Sequence, residues 1–266
     1  MIGEHVLAAY APGGGGRDAL AFAEAVVAHT TGRLTVAHVH PPDRPAAAGE
    51  AATLLRQAEA ALGDRPAAYT ARESRSVARG LAGEAGKAGA DLIVVGSTEG
   101  GAGGRIAIGS TADHLLHSAP EAVALVPAGW PPAVLGRITV MYVDRPQCDE
   151  AVTRAALAAL TLGVPLRLVT LALPGDPAER FRDDLAMAIR LAVDSTGIDP
   201  GEVSAELAEG DDVADALAGA GWDDGDLLVC ASSEDAAAHR VFVGEVALKM
   251  LRAATVPAIV LPRGYS

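Results

Sequence analysis

Four pairs of residues stand 135 positions apart in this chain: Asp91 and Asp226, Glu99 and Glu234, Gly109 and Gly244, Pro127 and Pro262. Each pair holds the same place in the same local pattern, so the shared offset marks a duplicated unit. The duplication constrains the fold strongly, because whatever the last third of one copy forms, the other must form again. A chain of 266 residues has room for two domains. The breakers AGWPPA at 128–133 mark the seam, and the expected domains are residues 1–130 and 131–266.

In the first copy the repeated segment, 91–127, reads strand, glycine-rich loop, helix, strand. DLIVV at 91–95, ending in Gly96, has the form of a fully buried strand. Gly100, Gly101, Gly103, Gly104 and Gly109 follow. Ser110 and Thr111 are N-cap candidates for the next helix, with Asp113 in its first turn. Residues 122–126 form the closing strand. A glycine loop that runs into a helix N-terminus suits an anion. N–H groups lack partners there, the helix dipole is positive, and missing Cβ atoms let phosphate oxygens approach.

Upstream, strands are expected at 5–11, 34–40 and 66–73, and helices at 17–31, 50–62 and 76–89. The second copy repeats the series. Its strands are expected at 138–144, 166–173, 203–208, 226–231 and 257–262, and its helices at 149–162, 177–196, 211–221 and 244–254. Strands separated by single helices imply an α/β fold, with a parallel sheet covered on both faces in each copy.

Half of the residues are hydrophobic but only 3% are aromatic, so Ala, Val and Leu must fill the cores. The formal charge of −13 argues against nucleic acid and against an anionic membrane surface, both of which need clustered Lys and Arg. No apolar run is long enough to span a bilayer, and no secretory leader is recognisable. Cys148 and Cys230 lack CxxC partners, and Cys230 lies in an apolar strand as a core residue. A reducing, cytoplasmic compartment is the expectation.

The segment resembles the universal stress protein family. Its nucleotide-binding members carry a glycine, two residues, a second glycine, nine residues, then glycine with Ser or Thr. Here Gly96 is followed by Glu99 where the second glycine belongs, and then by Gly109-Ser110. Ala119-Pro120 and the strand ending at Pro127 also resemble the family's ending. With the repeat, the resemblance extends over nearly the whole chain as a tandem member. It implies two tandem open five-stranded parallel-sheet domains, the adenine nucleotide alpha hydrolase-like fold. It also implies an intramolecular pseudo-dimer joined through the last strands, and leaves open a homodimer of the whole chain.

By the same resemblance the ligand is an adenine nucleotide, ATP or AMP, accompanied by Mg²⁺. The residues assigned to it are Gly96, Gly100, Gly101, Arg105, Gly109, Ser110 and Thr111, with no catalytic residue and no protein metal ligand. Ala11 stands where the family has an Asp, which removes an acceptor worth on the order of 1–3 kcal/mol. Glu99 adds a negative charge beside the phosphates. The second copy is read in reverse, with Asp144 at the family's Asp position. Its loop keeps only Gly244, and Glu245 replaces the Ser or Thr. Nucleotide binding is therefore expected in the N-terminal half alone.

PGGGG at 12–16 is read as a solvent-exposed turn, because the serine that precedes paired glycines in pyrophosphate loops is missing. His38 with His40, and His114 with His117, are ordinary histidines without a fourth ligand. Ser232, Ser233 and His239 form no nucleophile elbow. The acidic pairs Asp183-Asp184 and Asp211-Asp212 are solvated faces and helix starts. The resemblance implies a stress-response or regulatory role. The alternative is a nucleotide-independent protein-interaction scaffold. Slow ATP cleavage ranks third, since Glu99 is the only convenient metal-binding acid.

Overall fold

The computed structural model describes residues 2–98, 104–131 and 133–264. The first half runs β1 (His5–Ala9), α1 (Gly14–Thr30), β2 (Arg33–His40), α2 (Ala47–Leu62), β3 (Ala68–Glu73), α3 (Val77–Ala88), β4 (Leu92–Gly96), α4 (Ser110–Leu115) and β5 (Ala122–Val126). The second runs β6 (Arg137–Met141), α5 (Pro146–Leu162), β7 (Leu166–Ala172), α6 (Ala178–Thr196), β8 (Val203–Glu209), α7 (Val213–Gly219), β9 (Asp226–Ala231), α8 (Glu245–Ala253) and β10 (Ala258–Leu261).

Within each half the five strands are parallel, in the orders 3-2-1-4-5 and 8-7-6-9-10. β5 and β10 then pair antiparallel, which makes one ten-stranded sheet. Ala124 faces Ile259 at the centre of that pair, and these residues are themselves 135 apart. The approximate twofold axis relating the halves therefore passes through this pair.

Alternate strand residues feed two apolar layers. Val6, Ala8, Leu92 and Val94 meet α1, while Leu7, Ile93 and Val95 pack with residues of α3 and α4. The second half repeats this, with α5 and α6 on one face and α7 and α8 on the other. Alanines such as Ala19, Ala23, Ala155 and Ala159 are fully buried at the helix–sheet contacts. Small side chains let the helices lie close, which is how a core with few aromatics reaches native density. Phe22 packs edge-on against Trp130 near the seam, with ring centroids 5.6 Å apart.

α1 begins three residues earlier than the sequence pattern suggests, inside the glycine run. Each helical glycine costs roughly 0.8–1 kcal/mol relative to alanine, so propensity alone opposes this start. Tertiary contact overrides it. A Cβ on Gly15 would stand 2.2 Å from the carbonyl oxygen of Ser97, and one on Gly16 would stand 2.1 Å from that of Ala11. Gly13, the N-cap, has φ of 101°, a conformation that favours glycine. Gly14–Gly16 are thus the first turn of a helix driven against the strand ends, and the expected solvent-exposed turn is confined to Pro12 and Gly13.

Candidate functional site

A cleft of about 390 Å³ opens at the carboxyl ends of β1 and β4, the place where doubly wound sheets hold ligands. Gly15 and Gly16 of α1 form one side, and Gly109, Ser110 and Thr111 another. Val77 and Leu81 of α3, with Ala9 and Ala11, supply an apolar wall. None of the described lining residues carries a charge.

Four of the expected residues meet here: Gly96, Gly109, Ser110 and Thr111. Gly96 is there for close approach, since a Cβ on it would lie 1.9 Å from the Gly15 carbonyl oxygen. Gly109 packs under Thr98, whose methyl carbon is 2.2 Å from where a Cβ would be. Gly109 is itself the N-cap of α4 and offers no side-chain bond. Ser110 and Thr111 are therefore the first helical residues and not the cap, which leaves their hydroxyls directed to other uses. α1 likewise has no side-chain cap, so its first N–H groups remain available at the cleft.

Arg105 stands apart from this group. It is exposed and lines a separate groove with Asp211, Asp212, Lys249 and Arg252 of the second half. Gly100 and Gly101 lie outside the described residues, as does Glu99. The His38 Nδ1–H donates to the carbonyl of Tyr10, 2.8 Å away, and the His117 Nδ1–H donates to that of Asp113, 2.7 Å away. Among the described residues no three His, Cys, Asp or Glu side chains gather as metal ligands.

Asp144 does not take the position of Ala11. Val6 pairs with Leu34 and Leu92, while Ile138 pairs with Leu166 and Leu227. The first strands are therefore offset by 132 residues, 138 minus 6, which aligns Asp144 with Pro12 and Val143 with Ala11. β6 ends at Met141, and Asp144 reaches out to Arg180 at 3.8 Å.

The loop in each half is closed by a buried serine that lies outside the glycine motif. The Ser97 hydroxyl donates to the Val126 carbonyl (2.8 Å) and accepts from the Ala107 N–H (2.9 Å). Ser232 does the same with Leu261 (2.6 Å) and Phe242 (3.3 Å). Every partner is displaced by 135, so the pair was available as a signal in the sequence. This clasp ties both ends of the loop to the last strand of its own sheet.

The corresponding cleft of the second half encloses about 490 Å³. Met141, Leu171, Phe181, Cys230, Val246 and Met250 are among its walls, and Glu245 takes the place of Ser110. Burial pushes the Cys148 thiol up and the Cys230 thiol up to about 12, so both stay protonated. Burial also raises the Tyr142 hydroxyl, and its bond to Asp149 (3.0 Å) adds to the shift.

The two halves reach across their junction. The Ile106 N–H donates to the Ala254 carbonyl (3.2 Å), and the Val241 N–H donates to the Ala119 carbonyl (2.8 Å).

The profile of the Universal stress protein family matches residues 4–127 and again 135–262. A universal stress protein of Mycobacterium tuberculosis is 31% identical over 209 residues, covering 73% of this chain and 72% of that protein. One of Mycobacterium bovis matches with the same identity and coverage. A universal stress protein from Archaeoglobus fulgidus superposes with a TM-score of 0.71 at 16% identity, covering 99% of this chain and all of that one. A functionally unknown protein from Pseudomonas aeruginosa superposes with a TM-score of 0.67 at 15% identity, covering 98% and 93%. At these identities the structural matches show the fold alone.

Proposed function

The chain belongs to the universal stress protein family, and from that premise we propose that it is a tandem regulatory or stress-response protein whose N-terminal half binds an adenine nucleotide, ATP or AMP. The observation that carries this reading is the uncapped first turn of α1, whose Gly15 and Gly16 line the same cleft as Ser110 and Thr111. Backbone N–H groups at the start of a 17-residue helix favour phosphate through both hydrogen bonding and the dipole. The close-approach glycines Gly15, Gly16 and Gly96 let α1 lie against the ends of β1 and β4, which brings its first turn to the cleft. Val77, Leu81, Ala9 and Ala11 offer an apolar surface for the base. Mg²⁺ would be held through the phosphates, since the described lining supplies no carboxylate.

Ala11 leaves the ribose without a carboxylate partner, so the affinity is expected to be modest. The test is equilibrium binding of labelled ATP and AMP to the whole chain. Gly109→Val, which drives a side chain into Thr98, and Ser110→Ala are expected to weaken it. No saturable binding to the wild type sinks the reading.

A second reading is favoured by one observation: no Lys or Arg lines the cleft among the described residues. On that reading the chain is a nucleotide-independent interaction scaffold. Absence of nucleotide binding together with unchanged stability in Ser110→Ala would support it. Both readings keep the chain in the cytoplasm, with Cys148 and Cys230 as unpaired thiols.

A further inference from the structure

The second-half cleft carries a chemistry of its own. Its volume of about 490 Å³ falls within the roughly 300–1,000 Å³ of small-ligand pockets. Leu171, Phe181, Cys230 and Met250 line its interior, and Val143 and Val246 stand 47% and 60% exposed beside it. Solvent-facing valines at the edge of an apolar cavity are not explained by the core of this half. Several polar groups nearby are already engaged, and the Gln147 amide on the lining is neutral. The Tyr142 hydroxyl donates to Asp149, and the Ser232 hydroxyl is held by Leu261 and Phe242.

Among the described residues, the charged side chains on the lining are Asp176 and Glu245, and no Lys, Arg or His joins them. Glu245 sits in the first turn of α8, where its carboxylate takes up the favourable end of the dipole that an anionic ligand would need. An anion entering this cleft meets two like charges and no counter-ion. An apolar neutral molecule or an apolar ammonium ion meets neither obstacle.

We propose that this cleft is a binding site for a small apolar molecule without negative charge. The site is independent of the nucleotide reading, which concerns the other half. It is tested by equilibrium dialysis of the whole chain against three probes sharing one ring system: methylnaphthalene, naphthylmethylammonium and naphthoate. The neutral and ammonium probes are expected to saturate, with naphthoate at least about tenfold weaker, or about 1.4 kcal/mol. Ala247→Trp places an indole in the cavity and is expected to remove binding. Glu245→Lys changes an exposed side chain and is expected to narrow the gap between naphthoate and the ammonium probe, so the test survives if the tryptophan variant fails to fold. Ser110→Ala, a change at an exposed residue of the first half, is expected to leave all three unchanged. The proposal is overturned if neither the neutral nor the ammonium probe saturates. It is also overturned if naphthoate binds within tenfold of the ammonium, or if Ser110→Ala abolishes binding.

Discussion

Ile106 and Ala254 belong to different halves, yet the backbone N–H of the first donates to the carbonyl of the second at 3.2 Å. Ile106 is buried in the loop that leads to the first-half cleft, and Ala254 follows the last turn of α8. The opposite end of α8, with Glu245, Val246 and Ala247, lines the second-half cleft. Val241 and Ala119 repeat the contact in the other direction, so each loop rests on the other half.

Ile106→Ala is expected to destabilise the whole chain by about 2–5 kcal/mol, the usual cost of removing a buried isoleucine side chain. Val241→Ala removes less hydrocarbon and is expected to cost less. Urea unfolding checks both. A single transition whose midpoint falls in each variant shows that the halves unfold together, whereas a new early transition would show that they do not.

The glycines of the α1 start should separate by position and not by count. Gly15→Ala and Gly96→Ala place a Cβ 2.2 Å and 1.9 Å from backbone oxygens. Each is expected to cost about 1–3 kcal/mol or more through overpacking. Gly14 has no atom within 4 Å of its added Cβ, so Gly14→Ala is expected to stabilise by about 0.5–1 kcal/mol through helix propensity. Thermal melts of the three variants decide this, and a destabilised Gly14→Ala would refute it.

Ser97→Ala and Ser232→Ala each strip a buried hydroxyl from between a loop N–H and a strand carbonyl. Each is expected to cost about 1–3 kcal/mol, the penalty for buried groups left without partners. Only Ser97→Ala is expected to weaken nucleotide as well, because its loop borders the first-half cleft. Unfolding and nucleotide titration of the two variants test that division.

The thiol of Cys230 is pushed up to about 12 by burial, against about 8.5 for an unfolded cysteine. The folded state therefore keeps a proton that the unfolded chain releases. The associated stability is complete below about pH 8.5 and is lost as pH rises toward 12. Denaturant midpoints are expected to fall between pH 8 and pH 10, and Cys230→Ala should flatten that slope. In the native state at pH 8 the thiol should resist alkylation and become reactive only on unfolding.

Much of the fold was legible because the repeat offset preserves it. Asp91 and Asp226, the clearest landmarks, are structural: Asp91 accepts the N–H groups of Gly3, Glu4 and His5, and Asp226 receives the guanidinium of Arg137. Ala11 and Asp144 are not equivalent positions, because the offset is 132 at the first strands and 135 at the last, and the pairing register shows the difference. The start of α1 at Gly14 was not legible because it is imposed by contacts of Gly15 and Gly16 with Ser97 and Ala11, which propensity does not encode. Arg105 lines a groove with residues of the second half, a neighbourhood that spacing within the first half does not encode. Ser97 and Ser232 were legible as a pair at the common offset, but their clasp depends on which carbonyl the last strand presents.

The β5–β10 pair makes the association of the halves a property of one polypeptide. Two separate copies would part on dilution, and mixtures would scramble. Here the linker holds the mates at a fixed one-to-one ratio and a high effective concentration. Either cleft can lose or change its chemistry without ever meeting a second copy of itself, which is the circumstance that lets a glycine cradle and an oily cavity persist side by side.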